Sequence, residues 1–227
     1  MTSLLSTLSR IACLLLVGWH LEGAVPYDRL FVPLEKAPPP SSISGIDAVY
    51  VINLDSRPEK WHRIEPLLAY HGISAVRYPA VAGIDFDIHT LRTFCTKHIT
   101  AGQLGCMLCH LSIYRDALDR GFKTVWVLED DTEIRRNPHL ITERIAELSE
   151  IDPEWDILYT DLDWVRKDGS FIFSAALPID KESPYPLSYF TYRKRVSEEI
   201  TLLRARYGTG SMIISERGMK KLLTYFL

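Results

Sequence analysis

A basic excess is the first thing this sequence lacks. Its 26 lysines and arginines stand against 29 aspartates and glutamates, a formal net charge of −3. Proteins that hold nucleic acid through its phosphates carry a marked surplus of Lys and Arg, so no nucleic-acid partner is expected. Cysteine is scarce, at four residues. With Cys13 near the N-terminus set apart, Cys95, Cys106 and Cys109 remain. An odd number makes a poor disulfide framework, although Cys95 could pair with one of the other two in an oxidising compartment. No apolar run reaches the roughly 20 residues of a comfortable transmembrane helix. Internal repeats of solenoid length and long low-complexity tracts are also missing, which removes repeat architectures.

What remains is an ordinary globular balance, 47% hydrophobic and 24% charged over 227 residues. That length suits one domain of roughly 180 residues plus a leader. In residues 1–24, Arg10 precedes the apolar stretch Ile11 to Trp19, and small residues follow at Gly23 and Ala24. This fits a secretory signal or a membrane anchor. The expectation is an exported or membrane-associated protein, or one on the cytoplasmic face of the membrane, attached through its N-terminus. Residues 25–45, with Pro26, Pro33, Pro38 to Pro40 and Ser41, Ser42 and Ser44, read as an extended linker. The domain is expected over 46–227.

Its opening is a β-α-β unit. Ala48 to Ile52 reads as a buried strand, Asn53 to Arg57 as a turn, and Pro58 starts a helix to about Tyr70, with Asp55 or Ser56 available as cap. Ala75 to Tyr78 is a second short strand. Such a start predicts an α/β fold with a doubly wound sheet. The first βα turn is where these folds take nucleotides. This one has no Gly-rich phosphate loop, which excludes a P-loop or a dinucleotide fingerprint. Residues 82–99 are irregular and polar. Thr100 then opens a helix with capping-box spacing to Gln103, an apolar face of Leu104, Leu108, Leu111, Tyr114 and Leu118, and a stop at Gly121. Further along, Pro138 starts a helix to about Glu150, and Trp155 to Tyr159 reads as a strand. Residues 165–195 read as loops with a hairpin, and 197–206 as helical. A glycine-led strand follows over 208–214, and Ser215 caps a last helix.

The stretch Thr124 to Asp131 organises the whole. Thr124-Val125-Trp126-Val127-Leu128 reads as a strand covered on both faces, and it ends in Glu129-Asp130-Asp131. Three adjacent carboxylates at the end of a core strand repel one another and are costly to bury unless compensated. Ligands of open α/β sheets sit just outside the carboxyl ends of the strands. A divalent cation with oxygen ligands, Mg2+ or Mn2+, is the natural compensator; a solvated loop is the plainer alternative. The next strand also ends in acid, at Asp161 and Asp163. A metal at a strand end beside a nucleotide-type turn suits transfer of a group activated by a diphosphate, with a further carboxylate as base.

Cys106-Met107-Leu108-Cys109-His110 carries the C-x-x-C-H pattern of c-type haem attachment. Its place inside an amphipathic helix of an α/β domain favours two half-buried cysteines and a hydrogen-bonded histidine instead.

Taken in order, several motifs resemble glycosyltransferase family 25, which includes bacterial lipooligosaccharide galactosyltransferases and collagen galactosyltransferases. They are Val49-Tyr50-Val51-Ile52-Asn53-Leu54-Asp55-x-Arg57-Pro58, Gly102-Gln103-Leu104-Gly105-Cys106-x-x-Cys109-His110, Val127 to Asp131, Trp155 to Leu158, and Gly210 to Ser215 with Lys220 to Leu223. The resemblance implies a GT-A-like, Rossmann-related fold: a mixed, mainly parallel sheet flanked by helices. It also implies a UDP-sugar donor, commonly UDP-galactose, and a divalent metal such as Mn2+. Transfer would be inverting, to a hydroxyl of a glycan, lipooligosaccharide or glycoprotein acceptor. Carried over residue by residue, Glu129 and Asp131 would hold metal, and Asn53, Leu54, Arg57 and Asp130 would lie by the nucleotide. His110 matches the family histidine. Gln103 and Cys109 depart from the family's Glu and Ser. A Pro-x-Asp element usual after the last helix has no match before Leu227; either the domain is truncated at its C-terminus, or Asp161 or Asp163 serves in its place. A non-catalytic glycan- or protein-binding member of the same fold is the alternative, and an exported haem protein a minor one.

Overall fold

The computed structural model describes residues 31–87, 89–90, 92, 100–161, 186–206 and 208–226. Asp163, Cys95, the leader and the segment 162–185 lie outside the described residues.

A five-stranded sheet carries the fold. Strand β1 is Ala48–Leu54, and helix α1, Pro58–Tyr70, follows it; β2 is Val76–Ala80. A 3-10 turn, Gly83–Asp85, leads towards α2, Ala101–Asp119, and then β3, Thr124–Glu129. Next come α3, Ile141–Ile151, and β4, Ile157–Tyr159, then the short α4, Leu187–Phe190. A hairpin of β5, Arg193–Arg195, and β6, Thr201–Leu203, precedes β7, Ser211–Ser215, and α5, Glu216–Phe226. The sheet order is β2-β1-β3-β7-β4. β1 is parallel to β2 and β3, whereas β7 runs antiparallel between β3 and β4. This is the mixed, mainly parallel α/β sheet of a GT-A-like fold.

Side-chain alternation divides the core into two. Tyr50, Ile52, Val125, Val127, Met212 and Ile214 face α2 and α5, where Leu104, Leu108, Leu111, Met219 and Leu222 meet them. Val49, Val51, Trp126, Leu128 and Ile213 face α1 and α3, against Ile64, Leu68 and Ile141. A strand covered on both faces has no polar side, so its sequence reads as a continuous apolar run. Phe31, Val32 and Leu34, within the proline-rich stretch, pack on the α2 side. The Tyr78 hydroxyl donates to the Val32 carbonyl at 2.6 Å, and Arg120 to that of Leu34 at 2.9 Å.

Local signals explain the helix ends. The Thr100 side chain and Gln103 form a reciprocal capping box, and Gly121 turns the chain at φ +77°. Ser215 Oγ accepts from the Gly218 N–H at 3.1 Å at the start of α5. Two expectations are corrected. Neither Asp55 nor Ser56 caps α1: the N-cap is Arg57, without a side-chain cap, because Asp55 is taken by Arg77 at 2.6 Å. Residues 197–206 are not helical. Ser197 Oγ accepts from the N–H groups of Glu199 and Ile200, at 3.3 and 3.1 Å, and folds the chain back on itself. Thr201 to Leu203 then pair with β5; a side-chain turn of this kind competes directly with helix formation.

Helix α2 crosses the segment 81–85 at close range through a glycine. A Cβ at Gly105 would stand 2.5 Å from the Val81 carbonyl oxygen. Gly105→Ala should therefore cost about 1–3 kcal/mol, as overpacking against backbone does. Urea unfolding should show a lowered midpoint with unchanged slope.

Candidate functional site

The pleat of β3 decides where each acid of the triplet goes. Asp130 follows the face of Trp126 and Leu128, towards α1. Glu129 follows the face of Val125 and Val127, towards α2.

On the α1 side, buried Asn53 is the hub. Its amide donates to Asp130 Oδ2 at 2.8 Å and to the Arg57 carbonyl at 3.0 Å. Its carbonyl oxygen accepts from Arg77 Nε at 2.7 Å. Lys60 Nζ reaches Asp130 Oδ1 at 2.9 Å and Asp131 Oδ2 at 3.2 Å. Arg63 donates to the Asp130 carbonyl at 3.2 Å. The hydrogen bond to Asp130 raises the Lys60 ammonium above its ordinary value against some desolvation, and Asp131 adds to this. Asp130 is 8% exposed, so an unpaired charge there would cost several kcal/mol; Lys60 and Asn53 remove that penalty. The Asp131 side chain, by contrast, is 61% exposed. Arg57 lies on the surface, paired with Glu59 at 2.8 Å. Leu54 ends β1 opposite Ala80.

On the α2 side, Glu129 Oε1 accepts from Thr209 Oγ1 at 2.6 Å and lies 3.9 Å from Cys106 Sγ. Burial raises the Glu129 carboxyl above the usual range. The Thr209 hydrogen bond opposes that shift, and the charges of Asp131, Asp130 and Asp161 add to it. His110 is buried, with Nδ1 3.2 Å from the Tyr114 hydroxyl and Nε2 without a hydrogen-bond partner. Burial pushes its pKa down to about 4, so the ring is neutral at pH 7. An unpaired buried polar nitrogen costs about 1–3 kcal/mol. Among the described residues, Cys106, His110 and Glu129 form the one group of three or more His, Cys, Asp or Glu residues whose ligand atoms all lie within 4.8 Å of one another. Asp131 is not in it.

The second acidic strand end is occupied differently. Both Asp161 oxygens accept from Arg206, at 2.9 and 2.7 Å. Arg206 is buried and stacks over Tyr159 at 4.4 Å. Of the residues expected from sequence, the structure thus gathers Asn53 and Asp130, with Asp131 at their edge. It sends Glu129 and His110 to a separate cluster on the other face of the sheet and pairs Asp161 off. Lys60, Arg77, Thr209 and Arg206 were not anticipated. Lys60 and Arg63, one helical turn apart just after a nucleotide-type turn, are a signal that was there to read.

The haem reading does not fit this geometry. Cys109 is fully buried, and its sulfur accepts from the Val81 N–H at 3.2 Å, so it cannot present a thioether beside Cys106.

The fold and the strand-end polar network define a GT-A-like α/β domain with a ligand edge. The chain belongs to glycosyltransferase family 25 (LPS biosynthesis protein), whose profile matches residues 46–227. It is similar to a glycosyltransferase 25 family member of Drosophila melanogaster, 30% identical over 152 residues, covering 60% of this chain and 24% of that protein. It is similar to the mouse (Mus musculus) inactive glycosyltransferase 25 family member 3, 31% identical over 159 residues, with 61% and 26% covered. Mouse procollagen galactosyltransferase 2 is 25% identical over 193 residues, with 79% and 28% covered. The chain spans about a quarter of the length of these curated relatives.

Burial pushes the Cys109 thiol up to about 11, which leaves about one thiolate in a thousand at pH 8. Cys109 should resist iodoacetamide in the folded protein and react once urea unfolds it. Peptide mass spectrometry of the labelled protein reads this; rapid labelling of Cys109 without unfolding would contradict it.

Proposed function

We propose that this chain is a glycosyltransferase domain that moves a hexose from a UDP-sugar to a hydroxyl of a glycan, lipooligosaccharide or glycoprotein, with inversion and with a divalent metal. The observation that carries this is the Asn53–Asp130–Lys60 network at the carboxyl ends of the adjacent strands β1 and β3, the edge where α/β sheets take ligands. Family membership supplies the reaction class. The name of the mouse procollagen galactosyltransferase supports galactose as the sugar.

A divalent ion fits Asp130 and Asp131. Their carboxylates already share one cation, the Lys60 ammonium, and the exposed Asp131 can exchange it at little cost. Glu129, turned to the other face, is not a ligand in this reading. Mn2+ or Mg2+ held there would supply positive charge beside the departing diphosphate. Asn53 orients Asp130. Lys60, Arg57 and Arg77 place positive charge around the first turn, where an anionic donor would be held. Asp161, with both oxygens on Arg206, anchors that arginine and is a poor candidate to take a proton. His110 is buried beside Glu129, on the opposite face of the sheet from Asp130. Asp163, outside the described residues, stays a candidate base. The apolar stretch near the N-terminus supports an exported or membrane-associated setting.

A second reading has a specific observation behind it: some relatives are named inactive. In that case the domain would bind a glycan or protein without turnover. Titrating UDP-galactose with and without Mn2+, then assaying UDP release with an acceptor panel, separates the two. Metal-dependent binding followed by UDP release supports the enzyme; metal-dependent binding without release supports the second reading. Asp131→Ala should weaken metal-dependent binding by more than about tenfold, the lower end for groups that merely support a metal ligand, with unchanged far-UV circular dichroism. Unaltered binding would overturn the assignment of Asp131.

A further inference from the structure

The side-chain cluster around Glu129 takes no part in the proposed transfer, and its chemistry differs from that of the Asp130 side. Cys106 and His110 lie four residues apart on α2, one turn apart on the same helix face. Glu129 meets them from the end of β3. A sulfur, a ring nitrogen and a carboxylate oxygen come within 4.8 Å of one another. His110 Nδ1 is engaged by the Tyr114 hydroxyl. That leaves Nε2, buried and without a hydrogen-bond partner, as the nitrogen able to bind something else. A hydrogen bond on one ring nitrogen is the usual support for a histidine that ligates through the other. Thr209 donates to Glu129 Oε1, which likewise fixes the carboxylate.

We propose that Cys106, His110 and Glu129 form a zinc site. The donor set selects the ion. Thiolate and imidazole suit Zn2+, whereas Mg2+ and Mn2+ prefer oxygen alone. The spacing is close to what is needed: zinc bonds of about 2.3 Å to sulfur and 2.1 Å to oxygen, at a tetrahedral angle, place the two ligand atoms about 3.6 Å apart. Cys106 Sγ and Glu129 Oε1 stand at 3.9 Å. On binding, the Cys106 thiol gives up its proton to solvent and the sulfur joins the metal as thiolate. No electrons are exchanged. Three protein ligands leave the fourth position for water. The ion would tie α2 to the end of β3 and to the 208–210 segment through Thr209. It therefore braces the strand end that carries Asp130, without being the ion that meets the donor.

The test reads metal and needs no sugar substrate, so its failure is distinct from failure of the proposed transferase reaction. Full-length protein is stripped with chelator and titrated with Zn2+ and, in parallel, with Co2+. One zinc per chain is expected. The cobalt form should show a thiolate-to-metal charge-transfer band in the near ultraviolet and the intense visible bands of a tetrahedral ion. The wild-type cobalt spectrum alone reports sulfur ligation, so the idea stays testable if a variant fails to fold. Cys106→Ser should abolish the charge-transfer band and weaken zinc at least about tenfold. Glu129→Gln should weaken zinc and keep the band. Cys109→Ala, whose sulfur faces Val81, should change neither. A cobalt spectrum without sulfur ligation, zinc retained in full by Cys106→Ser, or equal loss in Cys109→Ala would overturn the site.

Discussion

The pleat of β3 is the constraint on which the site depends. Val125 to Leu128 are buried between helices on both faces of the sheet, so their register is fixed by packing on two sides at once. A slip of one residue would exchange the two faces and place Trp126 where Val125 and Val127 now meet α2. That register continues past the hydrophobic residues into the acids. It sends Asp130 to Asn53 and Lys60, and Glu129 to Cys106, His110 and Thr209. Neighbours in sequence join separate side-chain clusters on opposite faces of the sheet, and no local preference of the acids themselves is involved.

Charge is balanced acid by acid. Asp130 has Lys60, Asp161 has Arg206, and buried Asp156 has Lys221 at 2.7 Å. Each pairing offsets a desolvation cost that would otherwise run to several kcal/mol. Glu129 differs from these three: its hydrogen-bond partners among the described residues are a hydroxyl and a thiol. Burial is the main cause of its raised carboxyl pKa, and the charges of Asp131, Asp130 and Asp161 add to it. Glu129 stands instead close to the His110 ring, whose Nε2 is buried without a hydrogen-bond partner, and that juxtaposition is what the proposed site rests on.

Much of this was legible in the sequence, and the reason lies in local chemistry. The capping box at Thr100, the stop at Gly121 and the Ser215 cap are short-range signals that no tertiary contact overrode. The two-faced strands showed as unbroken apolar runs because helices cover both sides. Residues 197–206 misled because three consecutive apolar or β-prone residues, Thr201 to Leu203, fit a short helix as well as a strand; the Ser197 hydroxyl decided the matter. At the site, residue types were readable and partners were not. That three acids need compensation follows from charge alone. Which side chain compensates each depends on pairings across 70 residues, as for Lys60 and Asp130, and on the face each acid takes.

The C-x-x-C-H motif shows the same limit from the other direction. As a string it pairs Cys106 with Cys109 and makes the histidine an axial partner. In the fold, Cys109 turns to the Val81 backbone, where Gly105 lets the helix approach closely. Cys106 and His110 turn to Glu129. The helix supplies three donors, and the neighbouring strands decide which of them act together. On the two proposed readings the faces would take different ions: all-oxygen Asp130 and Asp131 on one side, and sulfur, nitrogen and a single carboxylate on the other. A divalent ion of one kind would not satisfy both. Of the two cysteines, Cys106 is therefore the one that the proposed site uses, and Cys109, where this chain departs from the family pattern, fills space in the core.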